Sequence, residues 1–550
     1  MLPRFITSNQ FCDWVVSFCP DSTGTKFGGK PGSKKPFKQY NNAERKSRPG
    51  KGRDGGKRET KFSFSKGGKR KLTDLTKEEL KKNRQQRKKD LKRNLRRKNC
   101  EKDLKKKLLR ELRDLIHGKV KQMAFAHDAV RVLQCYIQFS NHEQRQEVFE
   151  ELKDDILSLS KSQYGRHVVK KLLMYGNKEL VAAVINRFKG HVRQMLRHAA
   201  ASSIIEYAYN DKAVLAQRLM LTDELYGNTY TVCKSYEFNT LEKVVRTNPD
   251  KLNNIIDEMK QVLTPMAQKE QVIKHSLVHK VFLDFFQCAP EKQRTEMIES
   301  IRQSVVYMAH THDGARVAMN CLWHGTAKDR KVIIKTMKTY MVKFAMGEFA
   351  HLVLLAIFDC VDDTKLVKQA VLSEILESLD EVVGNKYGKK VLVYLLSPRD
   401  PAHLLPEIIK VLEQGDGNAH SKKDKATRRK ELLEVVSPPL LEYLCNNAAA
   451  MAIDKATSVT ISDILASACG DLRPAMMAVA QLANQELVPG GIKGELHMAE
   501  HPAGHLVLKW LIEQDVTLAE SVFLLAGWTT TKTPVRDEGY HNVKHHMTHL

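Results

Sequence analysis

Histidine, lysine, arginine and tyrosine are the residue types whose spacing in this chain invites a chemical reading. His545 and His549 stand four apart near the C-terminus with His541 close by, a spacing that lets two imidazoles share one helix face. A zinc site needs further ligands at fixed spacing, and the ten cysteines, dispersed from Cys12 to Cys469, form no C-x-x-C pair. The expectation is a histidine-rich tail, with no metal and no cofactor. His310 and His312 flank Thr311 with Asp313 beside them, which fits a structural role at a junction better than catalysis. The sequence has no G-x-x-x-x-G-K-[ST], no G-x-G-x-x-G after a strand and no H-E-x-x-H. No enzyme chemistry and no small-molecule substrate is expected.

Chemistry of another kind is written in the cations. The 550 residues carry a formal charge of +26. Residues 1–120 hold 37 Lys and Arg against 13 Asp and Glu, a net of +24, and the other 430 residues hold 53 against 51. A near-neutral body behind a strongly basic segment suits a polyanion. Lys81 to Lys98 contains eleven Lys or Arg in eighteen residues. Arg87, Lys88, Lys89, Lys92, Arg93, Arg96, Arg97 and Lys98 read as a nuclear or nucleolar import signal that doubles as a phosphate-binding arm. Within the body, Lys170-Lys171 and Lys389-Lys390 are candidate phosphate contacts. Tyr164 and Tyr387, each before a glycine, serve packing between repeats in preference to base stacking.

The elements that must position these groups follow from composition and period. Residues 1–75, rich in Gly, Ser, Lys and Arg, cannot bury enough surface to offset ordering entropy and are expected to be a disordered basic tail. Thr76 and Glu79 form a capping-box pattern that opens a basic helical segment, 76–115. No apolar stretch approaches the roughly 20 residues that span a bilayer, so no membrane partner is expected, and dispersed thiols fit a reducing compartment. Beyond Phe125, apolar anchors recur at 132, 168, 204, 281, 317, 353, 391 and 507. Most are about 36 residues apart, and the wider gaps hide poorly matching units. Such a period marks an all-α helical-repeat solenoid, here 116–400, continued by 401–515 with a basic loop at 415–430 and a divergent tail at 516–550. At about 100° per residue, Val168, Val169, Leu172 and Leu173 share a core arc, and Arg166, His167 and Lys170 fall opposite. Repeated unit after unit, that second side would form one long curved binding face.

The period and the helix Tyr164-Gly165-Arg166-His167-Val168-Val169 resemble the Pumilio (Puf) repeat. Met195-Leu196-Arg197-His198-Ala199, Glu224-Leu225-Tyr226-Gly227-Asn228-Thr229 and His501-Pro502-Ala503-Gly504-His505-Leu506 resemble its Puf-A branch, with a Penguin-like (CPL) C-terminal region. The resemblance covers about residues 115–515. It implies an L-shaped array of Puf-like repeats, residence in the nucleus and nucleolus, and a role in large ribosomal subunit assembly and precursor rRNA processing. The implied partners are structured RNA, ribosomal precursor RNA first, with DNA as a further candidate, and pre-ribosomal proteins.

The chain departs from the family where bases would be read. Classical Puf repeats read one base per helix with paired polar side chains. The equivalent positions here hold Val130, Arg131 and Gln134, then Arg166, His167 and Lys170, then Ser202, Ser203 and Glu206. Later come His279, Lys280 and Leu283, then Ala315, Arg316 and Met319, then His351, Leu352 and Leu355, then Lys389, Lys390 and Val393. A base-by-base code is missing. The candidate contacts are Arg131, Gln134, Arg166, His167, Lys170, Lys171, His279, Lys280, Arg316, His351, Lys389, Lys390, His505 and Lys509, acting without sequence preference. The rival readings are a protein-binding adaptor of the armadillo or HEAT kind without RNA contact, and a scaffold or inhibitor of a chromatin enzyme.

Overall fold

The computed structural model describes residues 77–97, 100–485, 487–491 and 496–519. The expected tail at 1–75 lies outside the described residues, as do Lys98, the histidines at 541, 545 and 549, and all of 516–550 beyond Ala519. The chain divides into two compact units, 1–115 and 116–550. In the first, the described helices are Lys77–Leu95 and the start of Lys102–Ile116. No strand occurs among the described residues.

The second unit is a stack of helix pairs. The anchor residues sit on His127–Phe139, Arg166–Tyr175, Ala199–Tyr207, Ser276–Cys288, His312–His324, Ala350–Cys360, Lys386–Leu396 and Gly504–Ala519. Val132, Val168, Ile204, Val281, Val317, Val353, Val391 and Val507 are all buried, none more than 3% exposed. Successive anchor helices pack on one another, as Ser276–Cys288 does on His312–His324, and that helix on Ala350–Cys360. Outer helices such as Leu252–Ala267 and Glu291–Ile301 form the second layer.

The glycine of the repeat motif has a steric cause. Gly165, Gly314, Gly388 and Gly504 each stand three residues before an anchor. A Cβ at Gly314 would lie 2.0 Å from the Met308 carbonyl oxygen, and one at Gly388 would lie 2.4 Å from that of Val382. In each of the four the blocked carbonyl is six residues back, on the short helix or turn entering the repeat. The tight entry sets the pitch of the array, and a side chain there would push the layers apart.

Two sequence expectations change here. The segment 415–430 is not one loop. Lys425 opens a 29-residue helix, Lys425–Ile453, capped by Asp424, whose carboxylate accepts from the Thr427 amide at 2.9 Å. The remaining stretch, 415–424, is clipped to the repeats. Arg330 donates to Asn418 Oδ1 at 2.7 Å and Ser421 Oγ at 3.0 Å, and Asp362 accepts from the Lys422 amide at 2.6 Å. The last described helix also runs to Ala519, past the expected boundary at 515.

Candidate nucleic-acid interface

The first two anchor helices hold a cleft of ≈ 310 Å³ between them, lined by His127, Val130, Arg131, Gln134, Gln163, Tyr164, Arg166 and His167. Tyr164 meets His127 edge to face at 5.0 Å, so its ring forms a wall of this cleft. Arg131 and His167 are exposed and Arg166 is half-buried. The Arg166 Nε is buried without a hydrogen-bond partner. Partial enclosure among its neighbours, then the charges of Arg166 and Lys170, lowers the His167 imidazole from its usual range.

Aromatic rings aim the neighbouring ammonium groups. Lys170 Nζ stands 4.8 Å over the Tyr207 ring and Lys212 Nζ 5.9 Å from the same ring. Lys171 Nζ lies 4.9 Å over Tyr175 and donates to Gln138 Oε1 at 3.3 Å. Ring faces attract cations without neutralising them, so these lysines are held in place with their charge intact. The outcome is a preorganised cationic surface over three successive repeats.

That surface does not continue around the array. Ser202 and Glu206 are buried, and Glu206 accepts from the Ser276 amide at 3.0 Å, its carboxyl pushed up by burial. His279, expected to touch nucleic acid, is 0% exposed. Its ring nitrogens face Thr311 Oγ1 at 2.7 Å and the Ile273 carbonyl at 2.6 Å, and its pKa lies well below the usual value through burial. His351 is also interior, bonded to the Gly347 carbonyl at 3.0 Å and stacked on Tyr387 at 5.2 Å. Both therefore leave the set of candidate contacts. Leu283, Met319, Leu355 and Val393, on the side opposite the core arc, are buried too. Part of the reason is distant in sequence: Lys425–Ile453 packs on Ala350–Cys360 and Lys386–Leu396.

Other candidates are held by partners. Lys280 is paired with Asp284 at 2.6 Å, and that carboxylate also accepts from the Tyr226 hydroxyl at 2.6 Å. Lys389 donates to the Ala456 carbonyl, tying its repeat to the loop after the long helix. Lys390 is half-buried, its pKa lowered by burial and by Lys386, which lies 5.3 Å over the Tyr387 ring. Arg316 is half-buried. His505 Nδ1 faces the His501 carbonyl at 2.9 Å, and exposed Lys509 sits 3.8 Å from Glu513.

Three arginines missed by the sequence reading are structural. Arg145 donates to the Ile137 carbonyl at 2.8 Å and the Tyr175 carbonyl at 2.7 Å. Arg218 donates to those of Tyr209 and Asn210, both at 3.1 Å. Arg330 takes Leu322 and Cys360, both at 2.7 Å, and Trp323 at 3.2 Å. Each satisfies carbonyls left open at a helix C-terminus, and Arg145 and Arg330 also reach the end of the next repeat's helix. All three stand 13 or 14 residues after an anchor, a signal legible in the sequence. Glu151 and Glu224 do the reverse. They accept from the Val120 amide at 3.4 Å and the Val192 amide at 2.9 Å, on the preceding repeat.

In the first unit the import-signal residues from Arg87 to Arg93 lie on a helix. Arg87 makes a two-point ion pair with Glu111, Nε to Oε1 at 2.5 Å and Nη2 to Oε2 at 2.7 Å.

A family model for the CPL (NUC119) domain matches residues 384–521. Over 427 residues the chain is 65% identical to Pumilio homolog 3 of Homo sapiens, covering 78% of this chain and 66% of that protein. It is 65% identical to the Danio rerio Pumilio homolog 3, with 78% and 68% covered. The chain thus spans about two thirds of the length of these relatives. The crystal structure of human Puf-A superposes with a TM-score of 0.77 at 64% identity, over 80% of this chain and 86% of that one. A crystal structure of human Puf-A in complex with DNA gives a TM-score of 0.76 at 63% identity, with the same shares covered.

Proposed function

We propose a function from one premise: the chain belongs to the Pumilio homolog 3 (Puf-A) family. On this reading it binds structured nucleic acid, RNA first and DNA as well, through phosphates and without a base code. It acts in the nucleolus as an assembly factor of the large ribosomal subunit, on precursor rRNA and beside pre-ribosomal proteins. The observation that carries the binding is the preorganised surface of Arg131, Arg166, Lys170 and Lys171, with Tyr175 and Tyr207 holding the lysines. The DNA complex of human Puf-A supports it. The compartment and the ribosomal role are supported by the basic segment and the family.

A protein-binding reading has its own observation. Val232, Tyr236 and Phe238 are 85%, 99% and 36% exposed within seven residues of chain, apolar side chains that a protein partner could cover. Titration of labelled RNA at several salt concentrations separates the two. Arg166→Ala, Lys170→Ala and Lys171→Ala together are expected to weaken unrelated structured RNAs by a similar factor and to lower the salt slope by about 0.9 per lost contact. A slope near zero in the unaltered chain favours the adaptor, and a roughly thousandfold preference for one short sequence overturns the phosphate reading. Exclusion of the tagged full chain from nucleoli overturns the assembly role.

A further inference from the structure

The last described helix, Gly504–Ala519, leaves open what the earlier repeats close. Four and five residues after the anchor, the chain buries Leu172 and Leu173, Phe285 and Phe286, and Cys321 and Leu322. The same two positions are buried after all seven earlier anchors, none more than 8% exposed. After Val507 they hold Leu511 and Ile512, and both are only half-buried. An array end that stays in water needs a polar outer face, and this one is aliphatic.

In earlier repeats the outer helix that follows turns back on its anchor helix. Lys178–Asn186 packs on Arg166–Tyr175 in this way, and Ala327–Met337 on His312–His324. The turn is made by a capping residue nine past the anchor, Asn177 or Thr326, whose side chain accepts from an amide of the new helix. Sixteen and seventeen past the anchor stands a buried apolar pair: Val184 and Ile185, Met297 and Ile298, Ile333 and Ile334. Counted from Val507, that register falls on Phe523 and Leu524. The capping position falls on Val516, which offers no acceptor, and the helix runs on to Ala519. The array tolerates a slip of this kind, since the repeat anchored at Val353 buries its pair one residue late, at Ala370 and Val371.

We infer that the run Val522-Phe523-Leu524-Leu525-Ala526 is the cap of this array, seating Phe523 and Leu524 on Leu511 and Ile512. The run starts three residues after the helix ends, and nothing as apolar follows it as far as Leu550. The reach is sufficient. At 1.5 Å per residue, Ile512 and Leu511 lie about 10–12 Å back along the helix from Ala519, and four extended residues span up to about 13 Å. A second copy would have to find the face from solution, whereas the tethered run meets it at an effective concentration on the order of millimolar. Seated there, the run closes the aliphatic end and keeps copies of the chain from stacking end to end. The inference is independent of the nucleic-acid reading above and involves none of its residues.

The test is amide hydrogen exchange in the full chain, read over 507–514. Phe523→Asp with Leu524→Asp should quicken exchange there at least about tenfold and leave 127–360 unchanged. Phe523→Leu with Leu524→Met keeps an apolar pair and should keep the protection. Thr529→Asp with Thr530→Asp adds the same charge just beyond the run and should also keep it, which separates loss of the seat from a general effect of charge. Sedimentation over a range of concentrations identifies what covers the face. The unaltered chain should not associate through it, and the Phe523→Asp, Leu524→Asp chain should associate more as it is concentrated. Exchange at 507–514 that is unchanged in the aspartate pair overturns the cap. Exchange already as fast in the unaltered chain shows a bare face and overturns it too. A dimer of the unaltered chain that loses protection at 507–514 on dilution assigns the face to a second copy and overturns the inference.

Discussion

Replacing Arg330 by Ala is expected to lower stability by about 3–5 kcal/mol, read as a fall in the urea midpoint. The side chain is 3% exposed and makes five hydrogen bonds. Three go to carbonyls at the ends of His312–His324 and Ala350–Cys360, and two go to the clip at Asn418 and Ser421. Removing it leaves buried carbonyls short of a donor at about 1–3 kcal/mol each, and opens a cavity where water can repair only part of the loss. Arg330→Lys keeps the charge but not the planar fork, so it should recover only part of the midpoint. Because repeats couple to their neighbours, the damage should spread through the array. Hydrogen exchange should quicken first in 350–360 and 415–424. A midpoint unchanged to within the equivalent of about 1 kcal/mol would show that the clamp contributes little.

Arg330 also shows why some features could be read from the sequence and others could not. The anchors were legible because burial repeats every 36 residues or so, and Val132, Val168, Val281 and Val317 are buried as that period requires. The cationic surface around Arg166 and Lys170 was legible because it depends on one helix and its immediate neighbours. The continuation of that face was not. A helical wheel sorts two sides, but Met319, Leu355 and Val393 lie on the nominal outer side and are buried. For the last repeats the cover includes Lys425–Ile453, far along the chain. Charge pairing is equally non-local: Lys389 meets the carbonyl 67 residues on, and Arg330 a side chain 91 residues on. Histidine deceives for another reason. The same letter serves as a surface cation or as a neutral interior group that bonds at both nitrogens, and His279 is the second kind.

Acidification from pH 7 toward pH 4 is expected to destabilise the repeats strongly, and the buried histidines fix the direction. Burial holds His275, His310 and His351 down at about 4, and it also drives His279 well below its usual range. His324, less enclosed, is also held at about 4 by burial and by Arg294, whose Nη1 lies 3.1 Å from its Nε2. In the unfolded chain these imidazoles take up protons near 6.5. Between about 4 and 6.5 the unfolded chain therefore binds more protons than the folded one, and stability rises with pH. It is fully present above that window and lost progressively on the way down through it. Glu206 acts in the opposite sense, since burial raises its carboxyl and favours the protonated folded form. Burial raises Asp211, Asp284 and Asp463 in the same way, whereas carboxyls held low, as Asp416 is by its hydrogen bond to Arg399, act with the imidazoles and keep the sign. A fully buried histidine shifted this far contributes up to about 3 kcal/mol at the acid end, and partial exposure and water entry reduce the sum to the order of 5 kcal/mol. That is comparable with the whole stability of an ordinary domain. The urea midpoint should fall steadily from pH 7.5 to pH 5. His275→Gln with His310→Gln should flatten that dependence while lowering the midpoint at pH 7.5 by much less than at pH 5. A midpoint that holds or rises on acidification would mean that these imidazoles are protonated inside the fold, with the Glu206 carboxylate, whose Oε2 lies 3.9 Å from His275 Nδ1, as the anion that receives the charge there.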